Sequence, residues 1–268
     1  MTHAAVASPL AAAAVERIQP PSVAAFRRDY AATRRPVILS GLAADWPAAR
    51  RWSLDYLQDR FAPTPVRTFR TAGGEVVMRS ATGAIEGTMP LGEFIAQLRR
   101  GTPHCYLTSR LADLPAALRG DAPTPDYCAE ASWQNGNLWI GAAGTVAPLH
   151  RDLADNLHAV VRGRKRLTLV APAHSAGVYP NALLDNFPNG CRANIEVPDF
   201  AAFPKLRGIE TLVAEVEAGD AIYIPRRWWH HVRTLETSIA VNFWWASGGR
   251  RALVVAIDRF KRWRGINR

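Results

Sequence analysis

The pattern of apolar and polar residues changes at about residue 137. Before this point, apolar residues at helical spacing and short apolar runs predict a mixture of helices and strands. Ser22 is the predicted N-cap of the first helix, and Gly73 with Gly74 forms the predicted turn of a hairpin. The predicted helices cover 22–33, 53–57 and 90–98, the buried strand covers 37–39, and the hairpin joins 66–70 to 75–79.

From residue 137 onward, short apolar segments follow one another with turns and without helices between them. This arrangement predicts a β-sandwich or barrel of the jelly-roll type and argues against a parallel α/β sheet. A connection rich in Pro and Asn, at 174–208, interrupts the pattern. Connections of this length carry binding function or are poorly ordered. The predicted strands cover 138–140, 156–161, 166–170, 211–216, 221–224, 230–233 and 238–244.

The two ends of the chain differ from the rest. Residues 1–21 are rich in alanine and predict a flexible N-terminus, without the basic and strongly apolar regions of a secretory signal. Residues 248–268 are basic and predict an amphipathic helix, whose apolar face consists of Leu253, Ile257 and Phe260. We expect one domain over 22–247, with the C-terminal helix docked on it or on a second subunit in a homodimer.

Composition is that of an ordinary globular protein. The 268 residues are 48% apolar and 21% charged, which excludes disordered, collagen-like and disulfide-framework proteins. The longest charge-free stretches, 131–150 and 167–184, contain Asn, Gly, Pro or His, so no membrane span is expected. Three cysteines without a CxxC pair favour a reduced, cytoplasmic location.

The formal net charge of +10 is weak evidence for a nucleic-acid partner. Only three of the 33 basic residues are lysines, which indicates a general replacement of Lys by Arg in a GC-rich coding sequence. The charge therefore favours an acidic partner only weakly. The scarcity of lysine also draws attention to Lys165, which follows a predicted turn in the β-rich half.

Residues that could bind a metal ion lie in two segments of the β-rich half. His150 and Asp152 are two residues apart, so in extended chain both side chains point to the same side. A later predicted strand carries His230 and His231. Two histidines and one carboxylate on facing strands form the triad that holds Fe(II) and leaves three coordination positions open. The alternative is structural, with a capped strand end at 150–152 and packed core histidines on the later strand.

The sequence around these residues is distinctive. It contains AGTVAPLHRDLADNLHAVVRGRKRLTLVAP at 143–172, VEAGDAIYIPRRWWHHV at 216–232, SIAVNFWWAS at 238–247 and PVILSGLAADWP at 36–47, with Tyr106 and Leu107 between them. These segments resemble the cupin-like Jumonji-C family of Fe(II)- and 2-oxoglutarate-dependent oxygenases, over nearly the whole of 22–247. The resemblance implies a mainly β fold: a double-stranded β-helix (cupin jelly roll) with N-terminal helical and mixed elements and a C-terminal helix.

The resemblance also implies the metal ligands. His150, Asp152 and His230 are the implied iron ligands and catalytic residues. His230 is preferred to His231 because the family ligand is the histidine that directly follows an aromatic pair. If His230 faces inward, strand alternation turns His231 outward, so we do not expect both to bind the metal.

A second set of residues is implied to bind 2-oxoglutarate. Lys165 matches the position that binds the distal carboxylate in the related asparaginyl hydroxylase of hypoxia-inducible factor, and a buried ammonium needs such a partner. That relative has Thr where this chain has Ala147. Thr145, two residues earlier, is the candidate replacement for the missing hydroxyl. The other residues implied to line the pocket are Tyr106, Asn156, Asn242 and Trp244.

Two functions of different classes follow. The first is an oxygenase that hydroxylates a C–H bond of a polypeptide side chain, an RNA base or a small molecule and releases succinate and CO2; some family members demethylate lysine. The second is a non-catalytic cupin-type module that binds a metal or another ligand. Ala147 favours the second function, whereas the complete ligand set and Lys165 favour the first. The loops at 72–90, 108–135 and 174–208, where substrate choice is expected, carry no recognisable pattern.

Overall fold

The computed structural model describes residues 10–72, 74–76, 86–101, 105–129, 133–183, 185 and 187–246, with two further positions at 252 and 256. The strands are β1 (Ala12–Ala14), β2 (Arg17–Ile18), β3 (Val37–Leu39), β4 (Pro65–Ala72), β5 (Glu75–Val76), β6 (Glu86–Pro90), β7 (Cys105–Arg110), β8 (Trp133–Gly141), β9 (Val146–Arg151), β10 (Asp155–Arg162), β11 (Arg164–Val170), β12 (Thr211–Glu217), β13 (Ala221–Ile224), β14 (Trp229–Thr234) and β15 (Ser238–Ala246). The α-helices are α1 (Val23–Phe26), α2 (Pro47–Arg51), α3 (Leu54–Phe61), α4 (Leu91–Arg99), α5 (Ala116–Asp121) and α6 (Asp126–Ala129).

Eight of these strands form a double-stranded β-helix, a barrel made of two antiparallel sheets that each contribute four strands. The sheet with the order β8–β15–β10–β13 is called the larger sheet, because N-terminal strands enlarge it. The sheet with the order β9–β14–β11–β12 is called the smaller sheet. N-terminal strands extend the larger sheet at both edges, with β7 on β8 and β3 on β13. The mainly β, jelly-roll class predicted from the sequence is confirmed.

Alternation along β10 shows how the sequence separates the two faces of the larger sheet. Leu157, Ala159 and Val161 pack in the largest hydrophobic cluster, which also contains the apolar side chains of the N-terminal helices. Val160 packs in a different cluster, with side chains of the smaller sheet, and therefore faces the barrel interior. Because residues two apart share a face, Asn156 and His158 also point inward. The barrel interior thus combines apolar packing with polar groups.

The N-terminal helices begin where the sequence supplies a hydrogen-bond acceptor. Ser22 Oγ accepts a bond from the Ala25 N–H at 3.2 Å, and Ser53 Oγ accepts one from the Tyr56 N–H at 3.0 Å. Gly101, just after α4, has a φ of +69°, in the left-handed region that favours glycine. The helix predicted over 22–33 forms as α1 followed by a π-helix at Arg27–Ala31, and the other predicted helices and the strand at 37–39 are confirmed. No described helix is long and apolar enough to cross a bilayer.

The N-terminal segment corrects the prediction of a flexible stretch over 1–21. From Leu10 onward the chain is folded: β1 pairs in parallel with β12, β2 pairs in parallel with β3, and Leu10 and Val15 are buried. Three alanines carry little intrinsic strand preference, so this pairing depends on the partner strand, which local sequence does not reveal. The folded unit begins before residue 22. At the other end, the predicted C-terminal helix and its homodimer lie outside the described residues, apart from positions 252 and 256.

The long connection at 174–208 packs over the outer face of the smaller sheet. Val178, Ile195 and Leu206 form a hydrophobic cluster with the buried Trp229 of β14. The Trp229 Nε1–H also donates to Ser175 Oγ at 2.9 Å. The connection is therefore a packed cover of this face of the barrel.

Candidate metal centre

Strand pairing brings the predicted metal ligands together. In the smaller sheet, β9 and β14 are antiparallel neighbours, and their register places His230 opposite His150. Asp152 follows β9, two residues after His150. The register shifts between His230 and Val232, because Pro148 and Leu149 of β9 lie opposite the single residue His231, so β9 carries a bulge there.

The three side chains have the geometry of a metal site. One candidate ligand atom from each of His150, Asp152 and His230 lies within 4.8 Å of the others, and no second group of three occurs among the described residues. The His230 Nε2 lies 3.7 Å from Asp152 Oδ2, and the two imidazole centroids are 4.1 Å apart. Two imidazole nitrogens and one carboxylate oxygen that lie this close together form a donor set suited to Fe(II).

Neighbouring groups orient each ligand. The Nδ1 atoms of both histidines face the backbone carbonyl two residues earlier, at 2.8 Å for His150 and 3.2 Å for His230. A proton on Nδ1 would leave the Nε2 lone pair of each ring available for a metal. The Trp244 Nε1–H donates to Asp152 Oδ2 at 2.7 Å and fixes the carboxylate.

Electrostatics favour the metal-binding form of His230. Burial, together with the nearby His150, lowers the pKa of His230 to about 4. Its imidazole is therefore neutral at pH 7, as metal binding requires. The donor set, its orientation and its protonation state all fit a divalent iron centre.

His231 points away from this centre. Its Nε2 lies 3.7 Å from Glu196 Oε2, and Glu196 is paired with Arg233. His231 also lines an outer pocket with Leu149 and Glu75, on the opposite face of the smaller sheet from His230. The structure therefore keeps His231 out of the group that His150, Asp152 and His230 form.

Lys165 lies inside the barrel and is fully buried. Its Nζ donates to the Tyr106 hydroxyl and to Thr234 Oγ1, each at 3.2 Å. No acidic side chain of the described residues pairs with it, and burial lowers the pKa of Lys165 to about 7. A buried ammonium without a counter-charge is destabilising, and a bound carboxylate would supply the missing partner.

The predicted asparagines lie on the inner face of the larger sheet. The Asn242 Nδ2–H donates to Asn156 Oδ1 at 2.9 Å. The Asn242 Oδ1 accepts a hydrogen bond from the Trp139 Nε1–H at 2.5 Å. Register places Trp244 opposite Asn156, in the adjacent strand. The structure thus brings Asn156, Asn242 and Trp244 to the same interior surface.

Thr145 lies beside the partners of Lys165. It precedes β9, is buried, and accepts the Thr234 N–H at its backbone carbonyl, at 2.8 Å. Gly141 allows this packing, because a Cβ there would lie 2.6 Å from the Tyr106 ring and 3.6 Å from the Thr145 side chain. Ala147 lies farther along, opposite Val232.

Sequence reasoning missed three interior residues, Thr234, Trp139 and His158. Thr234 pairs directly with Lys165 across β11 and β14, so a correct register would have found it. Trp139 lies on β8, opposite β15, the strand that carries Asn242. His158 shares its face with Asn156, two residues earlier, and the same alternation that selected Asp152 would have indicated it.

The chain matches a known family and several known proteins in sequence. A family model described as a cupin-like domain matches residues 23–250. The chain is 32% identical over 243 residues to lysine-specific demethylase 8 of Xenopus tropicalis, covering 87% of this chain and 53% of the relative. It is 32% identical over 249 residues to lysine-specific demethylase JMJ30 of Arabidopsis thaliana, and this match covers 87% of this chain and 55% of the relative.

A third relative is matched over most of its own length. The human bifunctional peptidase and (3S)-lysyl hydroxylase JMJD7 is 27% identical over 261 residues, covering 85% of this chain and 82% of the relative. By contrast, the chain spans little more than half the length of the two demethylases.

Proposed function

Because this chain belongs to the cupin-like domain family, whose Jumonji-C enzymes use Fe(II) and 2-oxoglutarate, we propose that it is an oxygenase that hydroxylates a polypeptide side chain. In this reaction, O2 delivers one oxygen atom to a C–H bond of the substrate. The second oxygen atom enters 2-oxoglutarate, which is converted to succinate and CO2. The observation that carries the proposal is the convergence of His150, Asp152 and His230 in a barrel whose interior also holds Lys165, a buried lysine without an acidic partner among the described residues.

The chain's own contribution at the metal is orientation. The imidazoles of His150 and His230 and the carboxylate of Asp152 would hold Fe(II), which would leave other coordination positions to cosubstrate and oxygen. The Trp244 hydrogen bond to Asp152 prevents the carboxylate from rotating away. Backbone acceptors at both histidine Nδ1 atoms keep the rings in one orientation.

The chain's contribution at the cosubstrate is a charged anchor in a closed interior. Lys165 offers an ammonium group to the distal carboxylate, and the Tyr106 and Thr234 hydroxyls hold that group in place. Because the lysine is fully buried, water competes little for the carboxylate. The Asn156–Asn242 pair lines the same interior.

A polypeptide is the preferred substrate class for two reasons. The relatives named above are two lysine-specific demethylases and a lysyl hydroxylase, so a lysine side chain is the first target to test. The net charge of +10 favours an acidic surface around that target. A non-catalytic binding module is less well supported, since such a module needs neither a complete metal triad nor a buried cationic anchor.

The test measures Fe(II)-dependent conversion of 2-oxoglutarate to succinate by the purified protein, with pools of peptides, RNA or small molecules as substrates. We expect succinate formation that peptides stimulate, together with a peptide product that gains one oxygen atom. His150→Ala is the inactive control. Iron binding without succinate in every pool would support the binding module, and stimulation by RNA alone would overturn the polypeptide assignment.

A further inference from the structure

His158 is a buried histidine that the proposed mechanism does not use. It lies in the middle of β10 and is 8% exposed. Its face of the strand is the barrel interior, shared with Asn156 and Val160. The Nε2 atom is inaccessible to solvent and has no hydrogen-bond partner among the described residues.

The surroundings of His158 show where it lies in the interior. Register places it between Asn242 on β15 and Ile222 on β13. Burial, then the charge of Lys165 and then that of His230, lower the pKa of His158 well below its ordinary value. His158 is therefore a neutral imidazole in the same barrel interior as Lys165 and His230.

A purely structural role explains this arrangement poorly. A buried polar atom without a partner destabilises a fold by about 1–3 kcal/mol, and native proteins pair nearly all such atoms. His231 illustrates the difference, because it is similarly buried but lies beside Glu196. The unpartnered His158 Nε2 and the Lys165 ammonium, which has no acidic partner among the described residues, share the barrel interior, and this indicates one anionic ligand for both.

We propose that His158 is a positioning residue for 2-oxoglutarate, and that its Nε2–H donates a hydrogen bond to the distal carboxylate that Lys165 neutralises. This role rests on the proposed function, since it requires the dicarboxylate to bind in the barrel. A neutral imidazole offers one directional donor, whereas the ammonium offers charge without a fixed direction. The two groups together select a 2-oxo acid that ends in a second carboxylate.

The test compares two ligands of equal length. The dissociation constants of 2-oxoglutarate and 2-oxopentanoate, which has a methyl group in place of the distal carboxylate, are measured by calorimetry. Mn(II) replaces iron and oxygen is excluded, so no turnover occurs. The variants are His158→Leu, which removes the donor, His158→Gln, whose amide nitrogen reaches the place of Nε2, and His231→Leu, a matched buried histidine on the outer face.

We expect His158→Leu to weaken 2-oxoglutarate binding by about tenfold or more, as loss of a hydrogen bond to a charged group predicts. The affinity for 2-oxopentanoate should stay nearly unchanged, and His158→Gln should restore most of the affinity for 2-oxoglutarate. The melting temperature of metal-free His158→Leu should equal or exceed that of the wild type, because the orphaned atom is gone.

Three results would overturn the inference. Unchanged 2-oxoglutarate affinity in His158→Leu would show that Nε2 does not reach the carboxylate. Equal losses for both ligands, with a lower melting temperature, would assign His158 to packing. Failure of the wild type to bind 2-oxoglutarate would refute the proposed function itself, whereas normal wild-type binding with an unaffected variant refutes only the role of His158.

Discussion

His230 and His231 are neighbours in sequence, and they are nearly identical in burial, with 3% and 4% exposed. Burial lowers the pKa of both to about 4. They nevertheless face opposite sides of the smaller sheet. His230 meets His150 and Asp152 in the barrel interior, whereas His231 meets Glu196 under the covering connection.

The comparison shows that burial and pKa do not by themselves identify a metal ligand. The polar groups around His231 on the outer face have partners: Glu196 binds Arg233, and the Trp229 indole binds Ser175. On the inner face, the residues that the structure describes provide no acidic partner for Lys165 and no hydrogen-bond partner for His158 Nε2. Polar groups that stabilise a fold are paired within it, and groups that bind ligands are left for the ligand.

The largest expected effect separates the two adjacent histidines. Asp152→Ala and His230→Ala should each reduce Fe(II)-dependent succinate formation to background, because two remaining ligands hold iron weakly. His231→Ala should retain most of the activity, since its side chain contacts Glu196 on the outer face. Iron content and succinate are measured on the same preparations. Iron loss in the His231 variant, with iron retained in the His230 variant, would reverse the assignment.

Local periodicity predicted that His150 and Asp152 share one side of the chain, and the family resemblance selected His230, but neither predicted the surroundings of these residues. The two-residue spacing of His150 and Asp152 holds in the structure, because it depends only on extended backbone. Thr234 could not be found in this way, since its approach to Lys165 depends on the register of two strands far apart in sequence. His158 follows from alternation, but its importance appears only when the partner of each interior atom is known.

In the fold as well, local sequence patterns predict some elements, whereas others depend on how distant strands pair. Strands with strong apolar patterns, such as β13, were predicted with their observed limits, whereas β1 was missed. Three alanines form a strand there because β12 offers an unpaired edge, and that edge is a property of the assembled sheet. The bulge in β9 opposite His231 is likewise a feature of pairing between β9 and β14.

The second prediction concerns the interior cation. Lys165→Met should weaken 2-oxoglutarate binding by roughly 30-fold or more, because truncating one partner of a buried charged pair costs about 2–5 kcal/mol. Metal affinity should stay within about threefold of the wild type, since Lys165 contacts Tyr106 and Thr234 and none of the ligands. Calorimetry with Mn(II) measures both constants. Unchanged 2-oxoglutarate affinity would place the carboxylate elsewhere.

A pH series is the control for the same residue. Burial lowers the pKa of Lys165 to about 7 in the ligand-free protein, and a bound carboxylate raises it again. The complex therefore holds a proton that the free protein loses above pH 7, so the affinity should fall by up to about tenfold per pH unit from there. Below pH 7 this contribution should be flat, and Lys165→Met should lack the slope.

The third prediction uses another pair of neighbours on opposite faces. Trp244→Phe removes the indole donor to Asp152 and should lower metal affinity by about 10- to 100-fold, the usual effect of losing a group that orients a ligand. Trp245→Phe is the matched control, because Trp245 packs against Tyr223 in the outer cluster. It should lower the melting temperature without changing metal affinity. Equal metal affinities in the two variants would remove the proposed role of Trp244.

The smallest expected effect tests the outer face. Glu196→Gln breaks a half-buried ion pair with Arg233 and should lower the free energy of unfolding by about 1–2 kcal/mol, between the values for exposed and buried pairs. Glu236→Gln, which alters an exposed pair with Arg164, should change it by less than about 0.5 kcal/mol. Neither variant should alter the affinity for metal or 2-oxoglutarate. A metal affinity that falls in Glu196→Gln would show that the outer pairs position His230 through its neighbour His231, and that the two faces are not independent.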